Sequence, residues 1–250
     1  MTTTLITGAS SGLGAEMARQ LAAKGHDLAL CARRTDRLEE LRGEILAAHP
    51  SLTVSVRALD VTDDEAVFSV IPGFAEELGR IDRIIVNAGL GKGAPLGTGR
   101  YDANKQTAMT NFVGALAQTE AAMQVFRAQG GGHLVIVSSM SAMRGLPKTV
   151  TTYAATKAGV AHLVEGLRAE FHGKRGYDFT VLYPGYIASE MNDGVEAAQN
   201  KMMVSTEKGV AAMVAAIEKK KASACVPALP WAPLSVVMKH APMPVFRKLI

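Results

Sequence analysis

The stretch Thr7-Gly8-Ala9-Ser10-Ser11-Gly12-Leu13-Gly14 decides how this chain folds. It follows an apolar, strand-like run and leads directly into a stretch with helical periodicity. Glycines at such a junction let the chain turn sharply and bring backbone N–H groups against a pyrophosphate at a helix N-terminus. Because the spacing GxxxGxG differs from the common GxGxxG, an ordinary strand-to-helix turn is the alternative. Its position after the first strand of a long strand–helix alternation favours a dinucleotide-binding loop.

Strand-like and helix-like stretches alternate along the rest of the chain. The predicted strands are 2–7, 27–32, 52–59, 83–86, 133–138, 179–183 and 224–228. The predicted helices are 13–24, 37–48, 64–78, 102–128, 152–173 and 206–219. Short apolar strands joined by crossover helices form parallel sheets that are covered on both faces. The pattern predicts one α/β domain over residues 1–250, a Rossmann-type, doubly wound, seven-stranded parallel sheet with helices on both faces. Ligands of such sheets bind beyond the carboxyl ends of the strands.

Composition narrows the class of protein. Apolar residues make up 48% of the chain and charged residues 20%, which is typical of a packed domain and excludes disordered or collagen-like chains. The net charge of +4 is dispersed apart from Lys219–Lys221, so we expect no nucleic-acid partner. Neither a leader-like start nor an uninterrupted apolar run of about 18 residues is present, so we expect a cytoplasmic protein. The histidines follow no metal-ligand pattern, and no metal is expected.

The end of the second predicted strand indicates which dinucleotide binds. An NAD site usually has an acidic residue there, which binds the ribose 2′-hydroxyl, but this chain has Arg33 and Arg34. A guanidinium can bind a 2′-phosphate through paired, charge-assisted hydrogen bonds. We therefore expect NADP(H), with Arg33 as the main contact. Arg34 is a second candidate that could equally serve only to begin the next helix.

Further residues for the cofactor follow the third and fourth strands. Asp60 could accept a hydrogen bond from the adenine amino group, with Val61 at the face of the ring. Alternatively, Asp60 is the N-cap of the helix that opens near Asp63. Asn87, Ala88 and Gly89 combine an amide with small residues where a cofactor must approach closely, although the same three residues also suit a plain turn.

Residues suited to proton transfer follow the fifth strand. Ser138 and Ser139 end that strand, and Tyr153 and Lys157 follow one helical turn apart. A tyrosine pKa of about 10 must fall to about 7 for acid–base work, which requires roughly 4 kcal/mol. An ammonium about 4 Å away at an effective dielectric near 20 supplies about that much. Desolvation opposes this shift, so we expect the positive charge of an oxidised nicotinamide to assist.

From Thr2 to about Ala228 the sequence resembles the classical short-chain dehydrogenase/reductase family. The matching segments, in order, are TGASSGLG at 7–14, DV at 60–61, NAG at 87–89, Asn111 in TNFVGAL, Ser139, YAATK with Tyr153 and Lys157, and PGYIAS at 184–189. Ser189 replaces the threonine that is usual in the family, so the hydroxyl is retained. Several motifs in the right order make this resemblance specific.

The resemblance implies a role for each matching residue. Tyr153 would donate the proton to a carbonyl, Ser139 would bind the substrate oxygen, and Lys157 would lower the tyrosine pKa and hold the nicotinamide ribose. Asn111 would complete a water relay behind Lys157. The nicotinamide would be held by Pro184, Gly185, Ile187 and Ser189, with the Ile187 backbone meeting its carboxamide. The separation of serine and tyrosine is one residue longer than the family's commoner one, so Ser141 is a second candidate for the serine role.

The family resemblance implies redox chemistry on a carbonyl or a secondary alcohol. Methionines near the cleft suggest an adaptable lining for an apolar substrate, although each could equally fill a core gap. They are Met140, Met143, Met191, Met202 and Met203. The segment 190–204 should form a flap over the substrate. The alternatives are a 3-oxoacyl thioester reductase of fatty-acid synthesis and a non-catalytic NADP-binding sensor of the same fold.

Residues 227–250 form a tail of the same domain, with five of the ten prolines, the only tryptophan and no acid. Pro233 and Pro242 should limit any helix between them to about two turns. We expect the tail to pack over the substrate cleft or a neighbouring subunit; the alternative is an interfacial segment on anionic lipid. The family also implies a homodimer or homotetramer built on helices 102–128 and 152–173, where Ala154, Ala155, Ala158, Gly159 and Ala161 would allow close approach.

Overall fold

A computed structural model describes residues 1–189 and 202–248. It contains the predicted seven-stranded parallel sheet in a single Rossmann-like domain. The strands are β1 (Thr3–Thr7), β2 (Asp27–Ala32), β3 (Val54–Ala58), β4 (Arg83–Val86), β5 (Gly132–Val137), β6 (Tyr177–Pro184) and β7 (Ser223–Val226). Every residue of β1, β4 and β5 is buried, as expected for strands that helices cover on both faces.

The strand order is β3-β2-β1-β4-β5-β6-β7, and neighbouring strands are parallel throughout. The order reverses between β1 and β4, where Thr4, Leu5 and Ile6 pair with residues 83–85. In open parallel sheets such a reversal opens a crevice at the carboxyl ends of the strands. The glycine loop after β1 and Asn87 after β4 therefore flank the position at which a ligand is expected.

The helices are α1 (Gly12–Ala22), α2 (Thr35–Ala48), α3 (Asp64–Leu78), α4 (Tyr101–Ala108), α5 (Gly114–Gln129), α6 (Thr151–Glu170), α7 (Thr206–Glu218), α8 (Ala228–His240) and α9 (Met243–Phe246). The single helix predicted over 102–128 is divided by a π-helical turn, Met109–Val113. Directly after that turn, a Cβ on Gly114 would fall 2.5 Å from the Val61 carbonyl oxygen. The close approach of the two backbones explains the glycine, and the wider turn places Asn111.

The core lies in two layers, one on each face of the sheet. One layer packs α1, α2 and α7 on the sheet, with Met17, Leu21 and Met213 fully buried. The other packs α3, α5 and α6, with Phe74 and Phe126 fully buried. The two cysteines lie in strands: Cys31 in β2 is buried, which raises the pKa of its thiol to about 12, and Cys225 in β7 is half-buried.

The tail forms α8 and α9. We expected Pro233 and Pro242 to limit any helix between them to about two turns; α8 ends at His240, before Pro242, but it begins before Pro233 and contains that residue. Leu229 has non-helical angles, so the regular helix begins at Pro230 and Pro233 is its fourth residue. A proline this close to the start of a helix removes only the first intrahelical hydrogen bond, the one to the Leu229 carbonyl. Across the described ranges, no helix combines the length and apolar character needed to cross a bilayer.

Candidate active site

A cleft of about 1260 Å³ runs along the carboxyl ends of the strands. A single small ligand usually occupies a pocket of about 300–1,000 Å³, so this cleft has room for a cofactor and a substrate together. The predicted site residues that line it are Gly8, Ser10, Ser11, Gly12, Leu13, Gly14, Arg33, Arg34, Asp60, Val61, Asn87, Ala88, Gly89, Ser139, Tyr153, Lys157, Pro184, Gly185, Ile187 and Ser189. Asn111 is the one predicted residue that lies behind the wall.

The glycine loop has no room for side chains at two of its positions. Gly8 has φ +64°, and a Cβ on it would lie 2.8 Å from the Cα of Ala88. A Cβ on Gly14 would lie 2.3 Å from the Gly8 carbonyl oxygen. Side chains at these positions would push the loop away from β4 and α1 away from the loop. The bare backbone therefore presents the N-terminus of α1 directly to the cleft, which fits the pyrophosphate of a dinucleotide.

Asn87 holds this loop in place. Its Nδ2 donates hydrogen bonds to the carbonyl oxygens of Thr7 (2.9 Å) and Gly8 (3.3 Å). In return, the Thr7 hydroxyl accepts from the backbone N–H groups of Asn87 and Ala88 at 3.0 and 3.1 Å. The sequence indicated an amide beside the cofactor. The structure shows that this amide joins the ends of β1 and β4, and it brings in Thr7 as a residue that the motif alone did not single out.

The two arginines after β2 point to different parts of the cleft. Arg34 donates from Nη2 to the Ser11 hydroxyl at 2.6 Å and from Nε to the Ser10 hydroxyl at 3.3 Å. Arg33 lies near Asp60 and helps to lower the pKa of that carboxyl group. Arg34 is also the residue before α2, as the alternative assumed, but its guanidinium folds back onto the glycine loop. The structure therefore makes Arg34 a stronger candidate than the sequence suggested.

Asp60 closes a turn of its own. Its Oδ1 accepts hydrogen bonds from the backbone N–H of Thr62 at 3.0 Å and from the Thr62 hydroxyl at 2.8 Å. These bonds lower the pKa of Asp60, with the backbone bond as the largest cause. The N-cap of α3 is Asp63, whose side chain accepts from the N–H of Ala66. Asp60 is thus not the helix cap, and it remains a carboxylate at the cleft, beside buried Val61.

Tyr153 and Ser139 meet at the centre of the cleft. Their side chains share a hydrogen bond, and the backbone N–H of Ser141 donates to the Ser139 hydroxyl at 3.1 Å, which fixes its position. Ser141, the second candidate for the serine role, has a buried hydroxyl without a hydrogen-bond partner in the described part of the chain. The structure thus places Ser139, rather than Ser141, against the phenol.

In the protein without a cofactor the pKa of Tyr153 is raised, and the fall expected with an oxidised nicotinamide in place stays a prediction. Enclosure of the phenol raises the pKa of Tyr153, and the hydrogen bond with Ser139 only partly offsets this effect. Lys157 Nζ lies 5.9 Å from the centre of the Tyr153 ring and donates to the Val137 carbonyl oxygen at 2.9 Å. Burial also lowers the pKa of Lys157 to about 8. Desolvation is therefore the largest cause of the pKa shifts of both Tyr153 and Lys157.

Lys157 and Asn111 both lie close to Gly89. A Cβ on Gly89 would fall 3.4 Å from Lys157 Nζ and 3.3 Å from Asn111 Oδ1. The Asn111 amide bonds the backbone of Leu90 twice, accepting from its N–H at 2.7 Å and donating to its carbonyl at 2.8 Å. Ser138 donates to the Lys157 carbonyl at 2.7 Å, which fixes α6 to the end of β5. Asn111 is thus positioned behind Lys157, and the water relay stays a prediction.

The PGYIAS loop at the end of β6 forms another part of the cleft wall. Its residue Ile187 forms a parallel bridge with Val204, and the Thr206 hydroxyl donates to the Ala188 carbonyl at 2.7 Å. Gly12 approaches it closely, since a Cβ there would lie 3.6 Å from the Cβ of Ser189. Met202 lines the cleft, whereas Met191 and the rest of the predicted flap over 190–201 lie outside the described residues.

The tail closes the outer side of the cleft. Trp231, Met238 and Phe246 are buried and form a cluster with Met140, which follows the candidate serine. This arrangement agrees with the expectation that the tail packs over the cleft. The opposite face of the tail is exposed, with Leu229, Val236, Val237, Met243 and Val245 all 45% or more accessible. Contact with anionic lipid would concern this outer face, and it stays a prediction.

Within residues 1–189 and 202–248, no group of three or more His, Cys, Asp or Glu side chains is arranged to hold a metal ion. The site instead combines a backbone cradle for phosphate with a phenol, a hydroxyl and a buried amine. Together with the doubly wound sheet, this chemistry defines a class of protein: dinucleotide-dependent oxidoreductases.

Comparisons with known proteins identify the family. The model of the short chain dehydrogenase family matches residues 2–200. An uncharacterised oxidoreductase of Mycobacterium tuberculosis is 52% identical over 244 residues, covering 98% of this chain and 95% of that protein. An alcohol dehydrogenase from the archaeon Thermococcus sibiricus, solved with 5-hydroxy-NADP, superimposes with a TM-score of 0.80 at 25% identity, over 97% of this chain and 99% of that chain.

A Burkholderia phymatum short chain dehydrogenase/reductase solved with NAD shares the fold, with a TM-score of 0.83 at 19% identity over 98% of this chain and 94% of that chain. The chain belongs to the short chain dehydrogenase family, and the predicted resemblance is confirmed. It is an oxidoreductase of that family, and its cofactor is a nicotinamide dinucleotide.

Proposed function

We propose that this protein transfers a hydride between NADP(H) and the carbonyl or secondary alcohol of an apolar substrate, with Tyr153 as proton donor and acceptor. The observation that carries the proposal is the hydrogen-bonded Tyr153–Ser139 pair in the same cleft as the glycine loop and the buried amine of Lys157. Apolar side chains form most of the remaining wall on this side. They are Met140, Leu146, Val150, Leu234, Met238 and Phe246.

The chain's own residues supply binding, orientation and proton transfer. The cofactor, when bound along the glycine loop and the PGYIAS loop, supplies the hydride. Ser139 and Tyr153 hold the substrate oxygen by hydrogen bonds, and the Tyr153 hydroxyl gives it a proton. The phenol is protonated at neutral pH, as the donor role in carbonyl reduction requires; because burial raises the pKa of Tyr153, the positive charge of Lys157 would be needed to favour release of the proton. Lys157 Nζ and Asn111, both close to Gly89, would return the proton through water.

The proposal is tested by NADPH oxidation against a panel of ketosteroids, 3-oxoacyl thioesters, quinones and long-chain carbonyl compounds. Steady turnover of one class would support an enzyme and identify its substrate. Preference for the 3-oxoacyl thioester would favour the reductase of fatty-acid synthesis instead. Tight NADPH binding without turnover of any of these compounds would favour the non-catalytic sensor and overturn the proposal.

We expect NADPH to bind about tenfold to hundredfold more tightly than NADH. Such a ratio corresponds to one charge-assisted contact of about 1.5–3 kcal/mol with the 2′-phosphate. Because Arg34 lies on the hydroxyls of Ser10 and Ser11, Arg34→Ala should remove more of this preference than Arg33→Ala. Arg42→Ala is the matched control, since Arg42 lies on the same helix α2 and pairs with Glu39 outside the cleft.

Dissociation constants from titrations with both cofactors measure this preference. Equal constants for NADPH and NADH in the wild type would contradict the choice of cofactor. A larger loss in Arg33→Ala than in Arg34→Ala would return the main role to Arg33.

We also propose a homodimer or homotetramer formed through α5 and α6. The small residues predicted to allow close approach between subunits differ in their exposure. Ala154 is buried within its own chain and Gly159 packs on the Phe112 ring, whereas Ala155 is exposed and available for such a contact. On α5, Leu116 is 37% accessible although it is apolar. Light scattering at micromolar concentration should give a dimeric or tetrameric mass, and Leu116→Arg should lower it. A monomeric wild type would contradict the assembly. A cytoplasmic location remains a prediction.

A further inference from the structure

The tail, residues 227–250, is held on the protein by one of its two faces. Trp231, Met238 and Phe246 are each 9% accessible or less and belong to one buried cluster. Arg144 fixes the tail in this position. Its Nη1 donates to the Met238 carbonyl oxygen at 3.2 Å, and its guanidinium lies 4.6 Å from the centre of the Phe246 ring. The side chains of the opposite face are therefore directed away from the sheet.

This outward face is apolar. Leu229 is 77% accessible, Val236 59% and Met243 56%, and Val237 and Val245 are exposed as well. Five of the fifteen large apolar side chains that are exposed in the described ranges thus lie between positions 229 and 245. Apolar residues exposed singly are ordinary, whereas a concentration of them in one short segment marks a surface of contact.

The exposed side of the tail also carries positive charge. Lys239, Arg247 and Lys248 are exposed, and Lys239 lies one helical turn after Val236 on α8. The sequence has no Asp or Glu from position 219 to its end, so no carboxylate of the tail neutralises these cations. Apolar side chains accompanied by Lys and Arg are suited to the boundary between the headgroups and the acyl chains of an anionic bilayer.

We propose that the outward face of the tail docks on the surface of an anionic lipid bilayer. The apolar side chains would enter the acyl boundary, and the cations would lie at the level of the headgroups. A second copy of this chain fits the face less well, because a two-fold contact through it would bring the cations of two tails together.

The same tail forms part of the cleft, so docking has a consequence for the site. Trp231, Leu234, Met238 and Phe246 line the cleft from the inner face of the tail. A bilayer bound to the outer face would therefore lie next to this wall of the cleft. The docking itself does not depend on the proposed reaction.

Co-sedimentation of the full chain with lipid vesicles, without substrate, tests the proposal. One set of vesicles contains equal parts of phosphatidylcholine and phosphatidylglycerol, and the other contains phosphatidylcholine alone. Each exposed cation contributes about fivefold near an anionic surface, so the three together should make the first set bind about 100-fold more tightly. The triple variant Lys239→Gln, Arg247→Gln and Lys248→Gln should lose most of this difference. Val237→Asp should weaken binding to the anionic vesicles by about tenfold or more.

Two matched controls lie outside the tail. Lys208→Gln on α7 removes an exposed cation, and Phe68→Asp on α3 places a carboxylate where an apolar side chain is 40% accessible. Both controls should bind the anionic vesicles as the wild type does, and thermal unfolding shows whether each variant is folded. Light scattering tests the other occupant, since Val237→Asp should leave the mass of the assembly unchanged.

Three results would overturn the docking. They are a wild type that binds neither kind of vesicle, equal binding to both kinds, and tail variants that bind as the controls do. A smaller mass for Val237→Asp would also overturn it, because the face would then be a contact between subunits. None of these measurements involves turnover, so their failure leaves the proposed function intact.

Discussion

Replacing Tyr153 with phenylalanine is expected to lower kcat for carbonyl reduction by about 10²- to 10⁴-fold, the range that a positioned proton donor contributes. The substitution removes the hydroxyl that bonds Ser139 and keeps the ring that fills the wall of the cleft. The dissociation constant of NADPH should therefore change little. Steady-state NADPH oxidation and a cofactor titration, carried out on the same preparation, measure the two quantities.

Two further variants sharpen this comparison. Ser139→Ala should cost less than Tyr153→Phe, because it removes one hydrogen bond to the substrate oxygen and leaves the proton donor in place. Tyr101→Phe is the control for loss of a phenol, since Tyr101 is 74% accessible and outside the cleft. If Tyr153→Phe retained more than about a tenth of the wild-type turnover, the proton donor would have to be another group.

Replacing Lys157 with methionine should have opposite effects on activity and on stability. We expect turnover to fall by more than about 100-fold and NADPH to bind more weakly, because the amine beside Tyr153 and Gly89 is lost. At the same time the cofactor-free protein should become more stable at pH 7. Burial lowers the pKa of Lys157 from 10.5 to about 8, and this difference corresponds to a cost on the order of 3 kcal/mol. Loss of the hydrogen bond from Lys157 Nζ to the Val137 carbonyl oxygen offsets about 1 kcal/mol of this gain in stability.

The pH dependence of stability follows from the same shift. Below about pH 8 the lysine is charged in both the folded and the unfolded chain, so the cost of burying it is complete. Between pH 8 and 10.5 the unfolded chain binds more protons than the folded one, so this group makes the wild type gain stability as the pH rises. The advantage of Lys157→Met should therefore be largest at pH 7 and small at pH 10.

Urea unfolding at the two pH values measures this difference. Lys208→Met, at an exposed position on α7, is the control and should show no such trend. A Lys157→Met protein that is no more stable than the wild type at pH 7 would mean that the charged amine is well solvated in the cleft.

Local pattern was enough to predict most of the framework. The strands 27–32 and 83–86 and helix 64–78 have the predicted bounds. An apolar run of strand length, or a helical period that follows an acidic cap, depends only on residues that are neighbours in the sequence. The π-helical turn at Met109–Val113 was missed, because the helical period of the neighbouring residues continues through it; Gly114, directly after the turn, packs on Val61, 53 positions earlier in the chain. The sequence placed no helix start in the tail, where α8 begins before Pro233 and contains it close to that start.

By itself the sequence determined the family, the seven-stranded parallel sheet and the predicted residues that line the cleft, because motif spacing and periodicity are properties of neighbouring residues. Only the tertiary structure decided that Arg34 reaches the hydroxyls of Ser10 and Ser11 and that Trp231 seals the wall with an unpaired N–H. It also showed that burial raises the pKa of Tyr153 in the protein without a cofactor, an effect that the spacing of Tyr153 and Lys157 does not reveal. Distance, enclosure and hydrogen-bond partners set these properties, and they arise between segments that are far apart in the chain.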